Sequence, residues 1–397
     1  MNLQEDYSEF LEITLKSKDD QYKYFDEKKQ KEPIFKIKND HWIVSRYDDI
    51  NTILRSDSFL RMTDPNENDP VRSLLDLDFE DHSKYRKMLN QVFNSSLVKK
   101  LKIEQKVEEN LKQIKSKEII DVVKDIAVPV PLQVIMEILG APMPQEEEAL
   151  LIKSWASNIF NSVGVHITRS GYKQYIEDME SLCTYLINVI FSDKYKKQDG
   201  LINYLKNYYI DGKKITNQEI LSICALIFVA GFETNVGSIT SSIFSIAQDE
   251  ELLSNFQNLQ IQDKTSQISD ELIRHSSSVC YAARRVGQDY VFYQDSDNPV
   301  FLSEGDFVLA HLESGNRDSM IFESPHDIIL DRHNSNKHLG FGVGVHYCLG
   351  AMLARAEVSP VVDYFFKNVK NPRITGNPVR HPSYAINGFS ELCVTTG

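Results

Sequence analysis

From Asn217 the chain runs to about residue 248 without a proline, and through the first half of that stretch apolar residues fall on nearly every side of a helical period. Thr216-x-x-Glu219 at its head is a capping box. A helix that is apolar all round has no face to offer water, so it belongs at the centre of a large domain. With 397 residues, 42% of them hydrophobic, the chain has the material for such a core. The middle of the stretch is unusual. Ala230-Gly231-Phe232-Glu233-Thr234-Asn235 puts a glycine and a carboxylate where both weaken a buried helix. The glycine costs about 1 kcal/mol, and the carboxylate costs more unless it has partners or water. Residues that work against a core helix point to a site. A plain kink, with Thr234 bonding back to the carbonyl of Ala230, accounts for the same letters.

Further helical patterns run over 82–93, 95–115, 131–139, 146–162, 171–191 and 266–275. Short strand-like pieces at 33–37 and 42–45 predict a hairpin turning at Asn39-Asp40. Others lie at 290–292, 300–302 and 307–312, with a last pair expected within 380–396. No repeat or linker divides the chain. The expectation is a mainly α fold with small β-sheets, one domain over 1–397 with a short polar segment at about 1–20.

The net charge of −13 argues against a nucleic-acid binder. The five cysteines are scattered and form no C-x-x-C pair, which argues against structural zinc and a disulfide framework and favours a reducing compartment. The polar N-terminus carries no signal-peptide pattern, and no uninterrupted apolar run reaches the ~20 residues of a membrane span. The expected location is cytoplasmic, with no membrane.

Residues 338–355 carry the chemistry: His-Leu-Gly-Phe-Gly-Val-Gly-Val-His-Tyr-Cys-Leu-Gly-Ala-Met-Leu-Ala-Arg. Cys348 sits where a glycine-rich loop enters an apolar helix. The helix dipole and unpaired N–H groups there favour a thiolate, and Gly342, Gly344 and Gly350 let backbone approach a flat ligand. A lone thiolate flanked by histidine suits the axial position of a haem iron. A buried, inert cysteine at a helix cap is the other reading.

The pattern Phe341-x-x-Gly344-x-x-x-Cys348-x-Gly350, followed by Ala351-x-Leu353-Ala354-Arg355, resembles the haem-binding loop of the cytochrome P450 family. The order Ala230-Gly231-x-Glu233-Thr234, Glu271-x-x-Arg274, Asn316-Arg317-Asp318, Asp331-Arg332, Cys348 and Gly388-Phe389-x-x-Leu392-x-Val394 extends the resemblance over about 35–394. It implies the fold of that family around a buried haem b, with Cys348 as the axial thiolate. Gly231 would mark a local opening of the central helix for dioxygen. Thr234 and Glu233 would manage oxygen and protons, and Phe341 and Gly350 would border the haem. Its propionates would meet His82 and Arg86, four apart on one helix face, together with Arg284 (or Arg285 beside it), His338 and His346. Glu271 and Arg274 would form a buried pair.

Three departures stand out. His275-Ser276-Ser277-Ser278 replaces a proline-containing turn. Ser319 replaces a proline. Asp327 stands where many relatives place an arginine, with Arg317 and Arg332 as candidates to compensate.

The implied reaction inserts one oxygen atom from O2 into a small organic substrate, free or tethered to a carrier protein. Electrons would come from NAD(P)H through a ferredoxin or flavodoxin. Lys84, Arg86, Lys87, Lys99, Lys100 and Lys102, in a stretch without acids, suit an acidic electron carrier, or are simply a solvated face. A peroxide-driven enzyme and a non-catalytic haem protein are the rival readings. The polar segment 56–80, with 155–180, is expected to cover the distal face as a lid.

Overall fold

In the computed structural model, which describes every residue except 1–8, 11, 39, 62–76, 162–168, 193–198, 260–264, 382–384 and 397, the long apolar stretch is one helix, Asn217–Ala247. The capping box is formed: Thr216 Oγ1 accepts from Glu219 N at 3.2 Å, and the Glu219 carboxylate accepts from Thr216 N at 2.7 Å. Helices Pro129–Leu139, Glu146–Asn161, Arg169–Phe191 and Ala351–Asn368 pack around it. By length and composition this helix is apolar enough to cross a bilayer, which counting uninterrupted apolar runs had excluded. It is a core helix instead, with 72% of its most apolar window buried.

The helix expected over 95–115 breaks. Ser95–Leu101 and Ile103–Leu111 flank Lys102, whose φ of 47° and ψ of 54° are left-handed, and a 3-10 turn follows over Lys112–Ser116. No glycine or proline announces the break. Lys106 Nζ donates to the buried carbonyl of Leu101 at 2.6 Å and is itself held by Glu137, on the helix Pro129–Leu139, at 2.8 Å.

The expected hairpin is Ile34–Lys38 with His41–Val44; its turn residue Asn39 lies outside the described residues. The hairpin is one edge of a five-stranded sheet. Phe307–His311 runs parallel to His41–Val44, then come Tyr281–Val286 and Phe59–Leu60. The strand expected over 307–312 stops at His311, whose Nδ1 accepts from Ser314 N at 2.8 Å and caps a helical turn, Leu312–Gly315. The tail pair starts earlier than expected: Arg373–Arg380 pairs with Phe389–Thr395, and Ile119–Asp121 adds a third strand.

Glu271 and Arg274 are fully buried and joined by two hydrogen bonds, Nε to Oε2 at 2.8 Å and Nη2 to Oε1 at 2.9 Å. Arg332 fills the place left by the missing arginine, with Nε 3.0 Å from Glu271 Oε2. Asp327 contributes its backbone instead, its carbonyl accepting from Arg274 at 2.7 Å. Arg317 is engaged elsewhere, beside Glu313 and the carbonyl of His275.

Candidate functional site

The loop before Cys348 is shaped by backbone. Gly342 and Gly344 have φ of 64° and 77°, and a Cβ on Gly344 would stand 2.5 Å from the carbonyl of Leu54. Cys348 N donates to Phe341 O at 2.9 Å and closes the loop. Gly350 caps the helix Ala351–Asn368, and a Cβ there would meet Cys348 Sγ at 4.0 Å, an ordinary contact. Space is therefore not what Gly350 provides at the sulfur; its N–H is. The expected depression of the thiol pKa does not hold for the chain by itself. Burial pushes the Cys348 thiol up, and the Gly350 N–H, Arg86 and Arg355 pull down without overcoming it. Phe341 is buried beneath the Arg355 guanidinium, 4.7 Å from the ring centre.

Beside the loop lies a cluster of cations. His82 and Arg86 come from the helix Phe79–Asn90, Arg284 from the strand Tyr281–Val286, and Arg61 from the end of Phe59–Leu60. His346 stands among them: its ring is 4.2 Å from that of His82, and its pKa falls to about 3 through burial and then the charges of His82, Arg284, Arg61 and Arg86. Burial also lowers Arg284, to about 10. Among the described residues the acid beside them is Asp78, 3.5 Å from His346 Nε2. That nitrogen is buried without a hydrogen-bond partner among the described residues. Arg284 is buried and Arg86 half-buried, and positive charge so placed calls for anions. The propionates of a haem beside Cys348 have the right sign. Strand alternation turns Arg285 to the opposite face, so it does not substitute for Arg284.

His338 is not part of this cluster. Its Nε2 lies 3.2 Å from Asp270 Oδ1, its Nδ1 accepts from Gly340 N at 3.0 Å, and Arg355 shares the same Asp270 oxygen at 2.6 Å. With both ring nitrogens engaged, His338 braces the start of the loop; it has no position left for a propionate. Sequence order suggested otherwise because a histidine at a loop entrance looks the same whichever neighbour it meets. Arg61 and Asp270 were missed, and nothing in their local sequence marks them.

On the central helix, Thr234 Oγ1 donates to Ala230 O at 2.6 Å. The helix runs unbroken through Gly231, and a Cβ there would press on Ile135 at 3.2 Å, so the glycine serves helix packing. Glu233 is buried. Its Oε1 accepts from Ser157 Oγ at 2.9 Å and lies 3.3 Å from His381 Nε2, while Oε2 has no partner among the described residues. Burial pushes Glu233 up to about 7, against smaller opposing effects of Lys153 and Ser157. On the helix Ala351–Asn368, Glu357 is buried too and pushed up to about 8, eased by a hydrogen bond from Asn235.

These carboxyls give a sign to the pH dependence of stability. Above the ordinary carboxylate value of 4.5, unfolded glutamates have lost their protons, while folded Glu233 and Glu357 hold theirs to about 7 and about 8. Histidines depressed by burial, such as His346, are neutral in both states above 6.5. Stability therefore falls as pH rises from 6.5 to 8, by at most about 1.4 kcal/mol per pH unit for each group. Urea midpoints at the two ends of this window test it, and Glu357→Gln should flatten the slope. Equal midpoints in the parent protein contradict it.

Most of the lid expected over 56–80 lies outside the described residues, as does the centre of 155–180. The sequence profile of the Cytochrome P450 family matches residues 9–369. A putative cytochrome P450, YjiB, of Bacillus subtilis (strain 168) is 27% identical over 359 residues, 87% of this chain and 87% of that protein. A methyl-branched lipid omega-hydroxylase of Mycobacterium tuberculosis (strain ATCC 25618 / H37Rv) is 28% identical over 383 residues, 91% of this chain and 86% of that protein. Among solved structures, P450BioI in complex with an acyl carrier protein ligated to hexadec-9Z-enoic acid superposes with a TM-score of 0.83 at 24% identity, covering 95% of this chain and 98% of that one. The match spans the central helix and the cysteine loop alike, and the arginines beside Cys348 suit the cofactor: the chain belongs to the cytochrome P450 family, the haem b monooxygenases.

Proposed function

We propose that the chain oxidises a small organic substrate of secondary metabolism, hydroxylating a C–H bond or epoxidising an alkene, with electrons from NAD(P)H delivered by a ferredoxin or flavodoxin. The observation that carries the site is the pairing of Cys348, at a closed loop over a helix N-terminus, with the cations Arg86 and Arg284 gathered around His346. Bound haem supplies the activation of dioxygen. Cys348 Sγ would hold its iron. Arg86, Arg284, His82 and His346, with Arg61, would hold its propionates, and Phe341 would border its ring.

Thr234 gives its hydroxyl proton to Ala230 O, so toward the pocket it offers lone pairs; donating there requires the hydroxyl to turn away from that carbonyl. The mobile proton of the site is then that of Glu233, which near neutral pH is poised between its two states. A proton-handling acid of this kind favours an O2-dependent reaction over a peroxide-driven one, because peroxide brings its protons with it.

Exposed Lys87, Lys99 and Lys102 support docking of an acidic electron carrier, and Lys100 beside them lies 3.6 Å from Asp199. Lys84 is occupied by Glu80 and Asp211. A substrate tethered to a carrier protein is supported by the P450BioI complex. Burial of the central helix in the core supports a soluble, cytoplasmic enzyme.

The deciding measurement is the absorption spectrum of the reduced, CO-treated protein. A Soret band at ~450 nm reports thiolate ligation, and a band at the position typical of nitrogen ligation would remove Cys348 from its role. Product formation with O2 and a reducing chain, and not with peroxide alone, then separates the two reactions.

A further inference from the structure

The tail pair meets the central helix at a contact between two glycines. A Cβ on Gly388 would lie 2.8 Å from Gly237 Cα, and one on Gly237 would lie 2.6 Å from Asn387 O and 2.8 Å from Ser278 Oγ. Only glycine permits so close an approach of backbones. Gly237 is one turn on from Glu233, so both lie on the same face of the helix. Across the tail, His381 N donates to Gly388 O at 3.2 Å. The glycine contact thus sets His381 beside the Glu233 turn, with Nε2 3.3 Å from Glu233 Oε1. From a third element, the helix Glu146–Asn161, Ser157 Oγ donates to the same oxygen at 2.9 Å. Oε2 is left buried and without a partner among the described residues.

We propose that His381 is a positioning residue for Glu233: together with Ser157 it fixes Oε1, so that the Glu233 proton resides on Oε2 and leaves from there. The proposal rests on the monooxygenase reading above. In the step it serves, the Oε2–H bond breaks toward an acceptor in the pocket, the carboxylate that forms is stabilised at Oε1 by Nε2–H and the Ser157 hydroxyl, and solvent water returns the proton. The groups facing Glu233 suit this. Lys153, on the helix of Ser157, is the charge that acts on both members of the pair. Glu357, on the cysteine helix, is bonded to Asn235. Burial, helped by Lys153, lowers His381 to about 4, so near neutral pH its imidazole is an uncharged donor. A neutral donor steadies the carboxylate without holding it permanently ionised.

The test reads Glu233 directly. Its carboxyl band in the infrared difference spectrum of the resting protein, assigned by its loss in Glu233→Gln, is titrated in the parent and in variants. His381→Phe removes a donor from the ionised form, so the midpoint should move up by about one pH unit. His381→Gln, whose amide N–H can take the place of Nε2–H, should restore it. The product-forming rate should fall about tenfold in the Phe variant and follow the displaced midpoint, with KM for substrate unchanged. Should the Phe variant fail to fold, Ser157→Ala removes the other donor and should displace the midpoint in the same direction. An unmoved midpoint in a variant that keeps the thiolate CO band, or a change confined to KM, overturns the proposal. Absence of that band from the parent protein would instead overturn the monooxygenase reading, while the infrared titration still reports on the pair.

Discussion

Cys348→Ala should give a folded protein that lacks the reduced-CO band at ~450 nm. Its turnover should be at most about a thousandth of the parent rate, a barrier raised by at least about 4 kcal/mol. Folding survives because the loop is held by its backbone. Cys348 N still donates to Phe341 O, and the left-handed turns at Gly342 and Gly344 do not involve the sulfur. The side chain is only half-buried, so its truncation costs about 1 kcal/mol or less of transfer energy. The cation cluster is untouched, so the variant can still take up haem, with the iron open to water or to a nitrogen ligand. Circular dichroism and the urea midpoint check the fold, and the CO spectrum and product assay check the chemistry. A variant that kept the ~450 nm band would mean that another of the five cysteines supplies the sulfur. Cys224 and Cys280 are poor candidates, since burial holds both thiols up to about 12.

What could be read from the letters was what repeats locally. The central helix, the capping box at Thr216, the hairpin near residue 40 and the cysteine loop each lie within one segment whose period or spacing carries the information. Joint placement across segments was legible where a resemblance supplied it, as for His82, Arg86, Arg284 and His346. It failed for His338, where the neighbour that decides its role, Asp270, is on another helix. The break at Lys102 was hidden in part for the same reason, since Lys106, which bonds Leu101 O, is anchored by Glu137 on another helix. Ser157 and His381 stand 76 residues before and 148 residues after Glu233, and no spacing rule links them. The thiol pKa was misjudged because a helix N-terminus is visible in sequence and the depth of burial is not.

Glu271→Ala should destabilise the protein by about 3–5 kcal/mol, about a fifth or more of the margin of an ordinary domain, and should yield haem-poor material. Glu271 receives Arg274 Nε and Nη2, Arg332 Nε and the N–H of Ile329, so one carboxylate serves two buried guanidiniums. The remaining donors of those guanidiniums reach the carbonyls of Asn316, Glu323, Ser324, Pro325 and Asp327. Removing the carboxylate strands two cations in a site closed to water. Removing one cation does not: Arg332→Leu leaves Glu271 paired with Arg274 and should cost only about 1–3 kcal/mol in lost hydrogen bonds. The loss of haem follows from what the network holds. Arg274 binds the carbonyl of Asn316, and Asn316 Oδ1 accepts from Leu339 N at 2.6 Å, two residues before Phe341 at the head of the cysteine loop. Freeing 316–332 therefore loosens the chain entering that loop. Urea unfolding of the two variants, with the ratio of Soret to protein absorbance as the measure of haem retained, checks both effects. The ordering is the sharp part: if Glu271→Ala is no less stable than Arg332→Leu, the carboxylate is not the centre of the network.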